Sequence, residues 1–268
     1  MGLNKFQNVT TILFDLDNTL INTKGADRLA CQQVSQYLQN CGIRRSTARE
    51  VVDKFYNLIR EQPHDPNNED GDVDAWRVLL WKQALGPGLS TKASIAYSMW
   101  KESRTIHLKF DLALQNMLVE LRKHYKLGLI TNGPSSSQWE KIRKVNGSIF
   151  FDAIVVSGDV KHSKPGVAIF EDAFRILDSS SLECVMVGDN LNTDIKGGIR
   201  ANCAATVWIS DEGLPDREGC PKPDFQVSNV TDIMDLLPER KGFSFLCQDR
   251  SVGLYHSMRD ETHTGRVN

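Results

Sequence analysis

The sequence predicts an α/β fold: a doubly wound parallel sheet with an all-helical cap inserted after its first strand. Short apolar, β-branched runs bounded by Gly, Asp or Asn recur along the 268 residues, the pattern of parallel strands buried on both faces. From about residue 110 these runs alternate with amphipathic stripes, the signature of strand–helix units. Between the first run and the second lies a long helical stretch with no strand signal.

The first strand is Val9-Thr10-Thr11-Ile12-Leu13-Phe14, which runs straight into an acidic cluster. Four helical stripes follow: Ala30, Val34, Tyr37, Leu38 and Cys41; Val51, Phe55, Leu58 and Ile59; Trp76, Leu79, Leu80 and Ala84; Ala93, Ala96, Tyr97 and Trp100. Gly42, the stretch Pro63 to Gly71, and Gly86-Pro87-Gly88 separate them. Leu114, Met117, Leu118 and Leu121 then fall at i, i+3, i+4 and i+7 of a helix. Strands are predicted at Leu127–Ile130, Ala153–Val156, Cys184–Val187 and Ala205–Ile209, with a helix through Ile169, Ala173, Phe174 and Leu177. The resulting division is a Rossmann-like core of residues 1–22 and 111–238, a helical cap of residues 23–110, and a tail of residues 239–268. The tail has no clear periodicity and is expected to be partly ordered or disordered.

Composition narrows the function classes. A formal net charge of -2 gives no overall basic field for nucleic acid or acidic lipid, so an anionic ligand has to be held by a local arrangement. No apolar stretch approaches the roughly 20 residues of a membrane span, and Met1-Gly2-Leu3-Asn4-Lys5 does not open a secretory signal. Gly2 lacks the Ser or Thr of a myristoylation signal, Phe6 standing there instead, and a cytosolic location is expected. The six cysteines (Cys31, Cys41, Cys184, Cys203, Cys220 and Cys247) form no Cys-x-x-Cys pair and are expected as buried thiols.

The chemistry-bearing residues fall at the strand ends. Asp15 and Asp17 follow the first strand, Thr131-Asn132 the second, Lys164 comes after the third, and Gly188-Asp189 close the fourth. In a parallel sheet the carboxyl edge is where ligands bind, so these groups can converge on one crevice. Residues two apart on extended chain point the same way, and two crowded carboxylates need a cation or proton to offset them. Magnesium, which takes carboxylate, carbonyl and phosphate oxygens, is the expected partner, with Asp189 as a further ligand. Lys164 supplies a counter-charge for phosphoryl oxygens, and Thr131 and Asn132 can donate to the same oxygens. Two exposed turn acids capping the next helix would account for one of the pair but not for the constellation.

Four motifs resemble the haloacid dehalogenase superfamily of phosphotransferases: Asp15-Leu16-Asp17-Asn18-Thr19, Ile130-Thr131-Asn132-Gly133, Lys164-Pro165, and Gly188-Asp189 with Asp194 five residues on. The resemblance implies a two-step reaction. Asp15 attacks phosphorus to form an aspartyl-phosphate, and water then hydrolyses it. Asp17 protonates the leaving alcohol and later activates the water. Magnesium is held by Asp15, the Asp17 carbonyl and Asp189; the phosphate is held by the Leu16 and Asp17 amides, Thr131, Asn132 and Lys164. Asp194 is expected either to orient Lys164 or metal-bound water, or to cap a helix. Asp17 also favours phosphoryl transfer over dehalogenation, which needs no acid for its leaving group; a mutase stays open.

A narrower likeness within the superfamily, to phosphatases of phosphorylated sialic acids, rests on Met1-Gly2-Leu3, the run Tyr97 to Arg104, the run Val185 to Gly198, and Ala205 to Ile209. It implies a small phosphorylated sugar acid as substrate. Lys24, Arg28, His64 and Arg104 are the candidate cap cations for its carboxylate, although the loop His64 to Asp72 is acidic. The alternatives are a phosphatase of another small metabolite such as phosphoglycolate or a hexose phosphate, a phospho-aspartate signalling module, and a silent binding protein that kept the fold. A signalling module would be about half as long and would lack the helical insertion.

Overall fold

The computed structural model describes residues 3–62, 72–215 and 218–238. His64, most of the acidic loop, Met1-Gly2, Cys247 and the tail from residue 239 lie outside the described residues.

Six parallel strands form the sheet: β1 (Thr11–Phe14), β2 (Lys126–Thr131), β3 (Ala153–Val156), β4 (Cys184–Gly188), β5 (Ala205–Ile209) and β6 (Phe225–Val227), in the order β3-β2-β1-β4-β5-β6. This is the doubly wound α/β fold that the sequence predicts. The chain leaves β1 in the middle and builds outward first on one side, then on the other. The carboxyl ends of β1, β2 and β4 therefore lie side by side. The three-residue edge strand β6, only partly buried, carries no sequence signal of its own.

Alternate residues of β1 go to opposite faces, as strand geometry requires. Ile12 and Phe14 join an apolar cluster with Leu114, Met117, Leu118 and Leu121 of α5 (Leu112–Leu121) and Trp139 and Ile142 of α6 (Ser135–Lys144). Leu13 joins the other face, with Ile169, Phe170, Ala173 and Leu177 of the helix Ala168–Leu177. Both helical stripes on these faces are buried as their spacing predicts.

The segment after β1 folds as α1 (Thr23–Asn40), α2 (Arg45–Glu61), α3 (Val73–Leu85) and α4 (Ala93–His107). Their apolar faces form a separate cluster, centred on Phe55, which stacks on Trp81 at 3.8 Å between ring centroids and meets Trp100 edge-on at 5.3 Å. The α3 stripe is phased differently from the expectation. Leu79 is exposed and Trp76 half-buried, while Arg77, Leu80, Trp81, Ala84 and Leu85 face inward. The run Trp76-Arg77-Val78-Leu79-Leu80-Trp81 is apolar almost all round, so spacing alone leaves its inner face open. Cys41 is also exposed, one residue past the end of α1, and Cys203 and Cys220 are only partly covered, against the expectation of buried thiols. Among the described residues no helix is long and apolar enough to cross a membrane.

Candidate active site

Asp15 is the first residue past β1, where its backbone N–H continues the ladder to the Val187 carbonyl at 2.9 Å. The chain then turns tightly: Asn18 takes a left-handed conformation (φ 64°), which Asn tolerates better than most side chains, and the Leu20 and Ile21 amides return to the Leu16 carbonyl. Leu16 is fully buried and anchors the turn.

The two acids of this loop face different partners. Asp15 Oδ1 accepts from Lys164 Nζ at 2.6 Å, and Oδ2 accepts from the Thr19 hydroxyl at 3.2 Å. Asp17 accepts from Lys141 Nζ at 2.7 and 2.8 Å, from Gln138 Nε2 at 2.9 Å, and from the Thr23 hydroxyl. Mutual repulsion is thus not their main problem. Burial raises the Asp15 carboxyl to about 7 against the pull of Lys164, and Asp194 and then Asp17 add smaller upward pushes. Burial works the same way on Asp17, but the Lys141 charge and the hydrogen bonds from Lys141, Thr23 and Gln138 outweigh it and hold Asp17 well below the usual carboxylate range.

Lys164 is 3% exposed and is held by three oxygens: Asp15 Oδ1, the Ile130 carbonyl at 2.6 Å and Asp194 Oδ1 at 2.8 Å. Burial disfavours its charge, yet Asp15 and Asp194 reverse that and raise its pKa. Asn132 braces this lysine from behind. Its Nδ2 donates to the Lys164 carbonyl at 2.9 Å and its Oδ1 accepts from the Lys164 amide at 3.0 Å. One Asn132 Nδ2 hydrogen and its Oδ1 thus go to the Lys164 backbone, a partner not expected from sequence. Thr131, fully buried, accepts from Gln138 Nε2 at 2.6 Å. Of the two roles weighed for Asp194, the structure gives it the contact with Lys164, and Asn190 caps the turn that follows β4 by accepting from the Asn192 and Thr193 amides.

Asp15, Asp189 and Asp194 bring one carboxylate oxygen each to within 4.8 Å of one another. This all-oxygen set fits a small hard divalent cation better than a softer metal. Burial and the neighbouring Asp194 raise the Asp189 carboxyl, opposed by Lys24, whose exposed Nζ reaches Asp189 Oδ2 at 3.1 Å. The Asp189 amide donates to the Thr19 hydroxyl at 3.0 Å, so Thr19 links the first and fourth motifs.

Sequence reasoning missed Lys141, Gln138, Thr19 and Thr23. Gln138 and Lys141 lie three apart on α6, directly after Thr131-Asn132-Gly133, a helix whose polar face has no stripe to announce it. Of the four proposed cap cations, Lys24 touches Asp189, Arg28 is exposed, and Arg104 is paired with Asp27.

Residues 12–208 match the family described as haloacid dehalogenase-like hydrolase. The chain is 35% identical over 240 residues to the human N-acylneuraminate-9-phosphatase, an alignment that covers 88% of this chain and 96% of that one. It is 27% identical to the glyceraldehyde 3-phosphate phosphatase of Methanothermobacter thermautotrophicus, over 84% of this chain and 96% of the relative. Among solved structures, a haloacid dehalogenase-type hydrolase of Bacillus subtilis superposes with a TM-score of 0.62 at 22% identity, over 85% of this chain and 98% of its own. A phosphatase of the same type from Thermococcus onnurineus gives 0.60 at 23% identity, over 85% and 97%.

Proposed function

This chain belongs to the haloacid dehalogenase-like hydrolases, and we propose that it is a magnesium-dependent phosphatase that hydrolyses N-acylneuraminate 9-phosphate to free sialic acid and phosphate. The phosphatase class follows from the family and its relatives; the 35% identity to the N-acylneuraminate-9-phosphatase, spread over 88% of the chain, is what favours that substrate. Action in the cytosol is part of the same proposal. So is the division of labour, with residues 1–22 and 111–238 carrying the chemistry and residues 23–110 closing over the leaving group.

The geometry that carries the mechanism is Asp15 at 2.6 Å from Lys164 on the edge of a three-carboxylate cluster. Asp15 attacks phosphorus, and the bond from phosphorus to the sugar oxygen breaks. For the acid step Asp17 takes up a proton from solvent as substrate binds and passes it to that oxygen; as a carboxylate again, it takes a proton from the water that releases phosphate from Asp15. The grip of Lys141 favours the anionic form of Asp17, the form that serves as base. Lys164, the Leu16 and Asp17 amides and the Thr131 hydroxyl hold the transferring oxygens. Asn132, expected among them from sequence, also fixes the Lys164 backbone. Asp15, Asp189 and the Asp17 carbonyl would hold magnesium, which supplies positive charge opposite the phosphoryl oxygens. Asp194 sets Lys164 and brings a carboxylate oxygen within 4.8 Å of those of Asp15 and Asp189.

Turnover of N-acylneuraminate 9-phosphate with magnesium, measured beside phosphoglycolate, hexose phosphates and glyceraldehyde 3-phosphate, tests the substrate. It should lead that panel in kcat/KM by at least about tenfold. Faster turnover of another ester sinks the substrate and leaves the chemistry standing.

A further inference from the structure

Three cations, Arg77 and Lys141 buried and Arg104 partly buried, gather where α3 and α4 meet α6. Lys141 is paired with Asp17, and Arg104 with Asp27. Arg77, 7% exposed, has no carboxylate at ion-pair distance among the described residues. It donates to one neutral hydroxyl, Ser137 Oγ at 2.8 Å, and its Nε has no partner. Asp74, on the same helix, is taken up by Lys101 at 2.7 Å and by the Tyr97 hydroxyl. A buried, incompletely bonded guanidinium is strongly unfavourable unless an anion joins it. Burial and then the nearby Arg104 already push Arg77 below its ordinary range.

The location relates this charge to the reaction. The Arg77 and Arg104 guanidiniums lie 5.5 and 5.1 Å from the centre of the Trp100 ring, so both stand around one indole. Ser137 and Lys141 are four residues apart on α6, about 6 Å along its axis. Arg77, held at Ser137, therefore stands about one turn of α6 from the lysine that grips Asp17, the acid the leaving group meets.

We propose that Arg77, flanked by Arg104 and Lys141, forms a subsite for a carboxylate that the substrate carries beyond its phosphate ester. The subsite rests on the phosphatase reading of the site, with the leaving group against Asp17. A guanidinium offers two parallel N–H donors to a carboxylate, and here the unpartnered Nε is one of them. Arg77 thereby joins Arg104, one of the cap cations expected from sequence, of which Arg28 is exposed and Lys24 lies on Asp189.

The test uses the full chain with magnesium and two esters that differ only in charge, N-acetylneuraminate 9-phosphate and its C1 carboxamide. The parent should prefer the acid by about tenfold or more in kcat/KM, mainly through KM, and Arg77→Gln should erase most of that ratio while Arg77→Lys keeps part of it. Equal losses on both esters in Arg77→Gln, or no preference in the parent, overturn the subsite. If neither sialic ester is turned over, 3-phosphoglycerate against glycerol 3-phosphate makes the same comparison. A preference there that Arg77→Gln abolishes keeps the subsite and discards the sugar. If Arg77→Gln does not fold, free N-acetylneuraminate and its carboxamide are compared as inhibitors of p-nitrophenyl phosphate hydrolysis by the parent; equal inhibition overturns the subsite, and stronger inhibition by the acid supports it.

Discussion

Asp15 and Asp17 are two residues apart and chemically identical, and the fold separates them by their partners. Asp15 shares Lys164 with Asp194, whereas Asp17 has Lys141 and Thr23 and shares Gln138 with Thr131 and the Asn132 carbonyl. Asp15→Asn should lower kcat by on the order of a thousandfold or more, since an amide cannot form the acyl phosphate; a variant as fast as the parent would remove Asp15 as nucleophile. Arg104→Leu makes a different prediction, about stability. It leaves the largely buried Asp27 carboxylate, already raised by burial, without its cation, and unfolding in urea should show a loss of about 3 kcal/mol. Asp15, Thr131 and Asp189 are legible in the sequence because each sits at the end of a strand whose pattern is local, and Lys164 follows eight residues after β3. Lys141 and Gln138 are not, because their significance lies wholly in what they touch.

At the scale of elements, the turn after β4 is the tightest junction in the site. A Cβ on Gly188 would stand 2.3 Å from Asp194 Oδ2, so Gly188→Ala has to push Asp194 away from Lys164. Activity should fall by about tenfold or more, with a stability loss of about 1–3 kcal/mol; unchanged kcat/KM would mean that Asp194 does not set the lysine. The start of α5 offers a contrast remote from the chemistry. Asp111 caps it by accepting from the Leu114 amide at 2.8 Å, and Asp111→Ala should cost about 1 kcal/mol in thermal or urea unfolding while kcat stays at the parent value. Helices with one apolar stripe, such as α4 and α5, were placed correctly by spacing. The inner face of α3 was not, since Trp76, Val78, Leu79 and Trp81 leave no polar side to set its phase.

For the whole molecule, the order β3-β2-β1-β4-β5-β6 brings the ends of three strands together and with them the Asp15, Asp189 and Asp194 oxygens. A divalent cation bound there relieves their mutual repulsion only in the folded chain. Magnesium at about 100 times its Kd should therefore add about 2.7 kcal/mol and raise Tm by several degrees. Asp189→Asn should shrink that shift, and chelation should stop hydrolysis. A Tm indifferent to magnesium in the parent would argue against a site at this edge.

The sequence by itself determined the alternation of strands and helices, the helical insertion after β1, and the identity of the groups at the strand ends, because strand and helix periods are properties of neighbouring residues. Tertiary structure alone decided which acid meets which cation. Lys141 reaches Asp17 across 124 positions and Lys164 reaches Asp15 across 149, and the strength of such a pair depends on separation in space and on burial, neither of which is written in local spacing. That is why Asp15 and Asp17 look alike as letters, yet one is raised toward neutrality by burial and the other is held as an anion by its lysine.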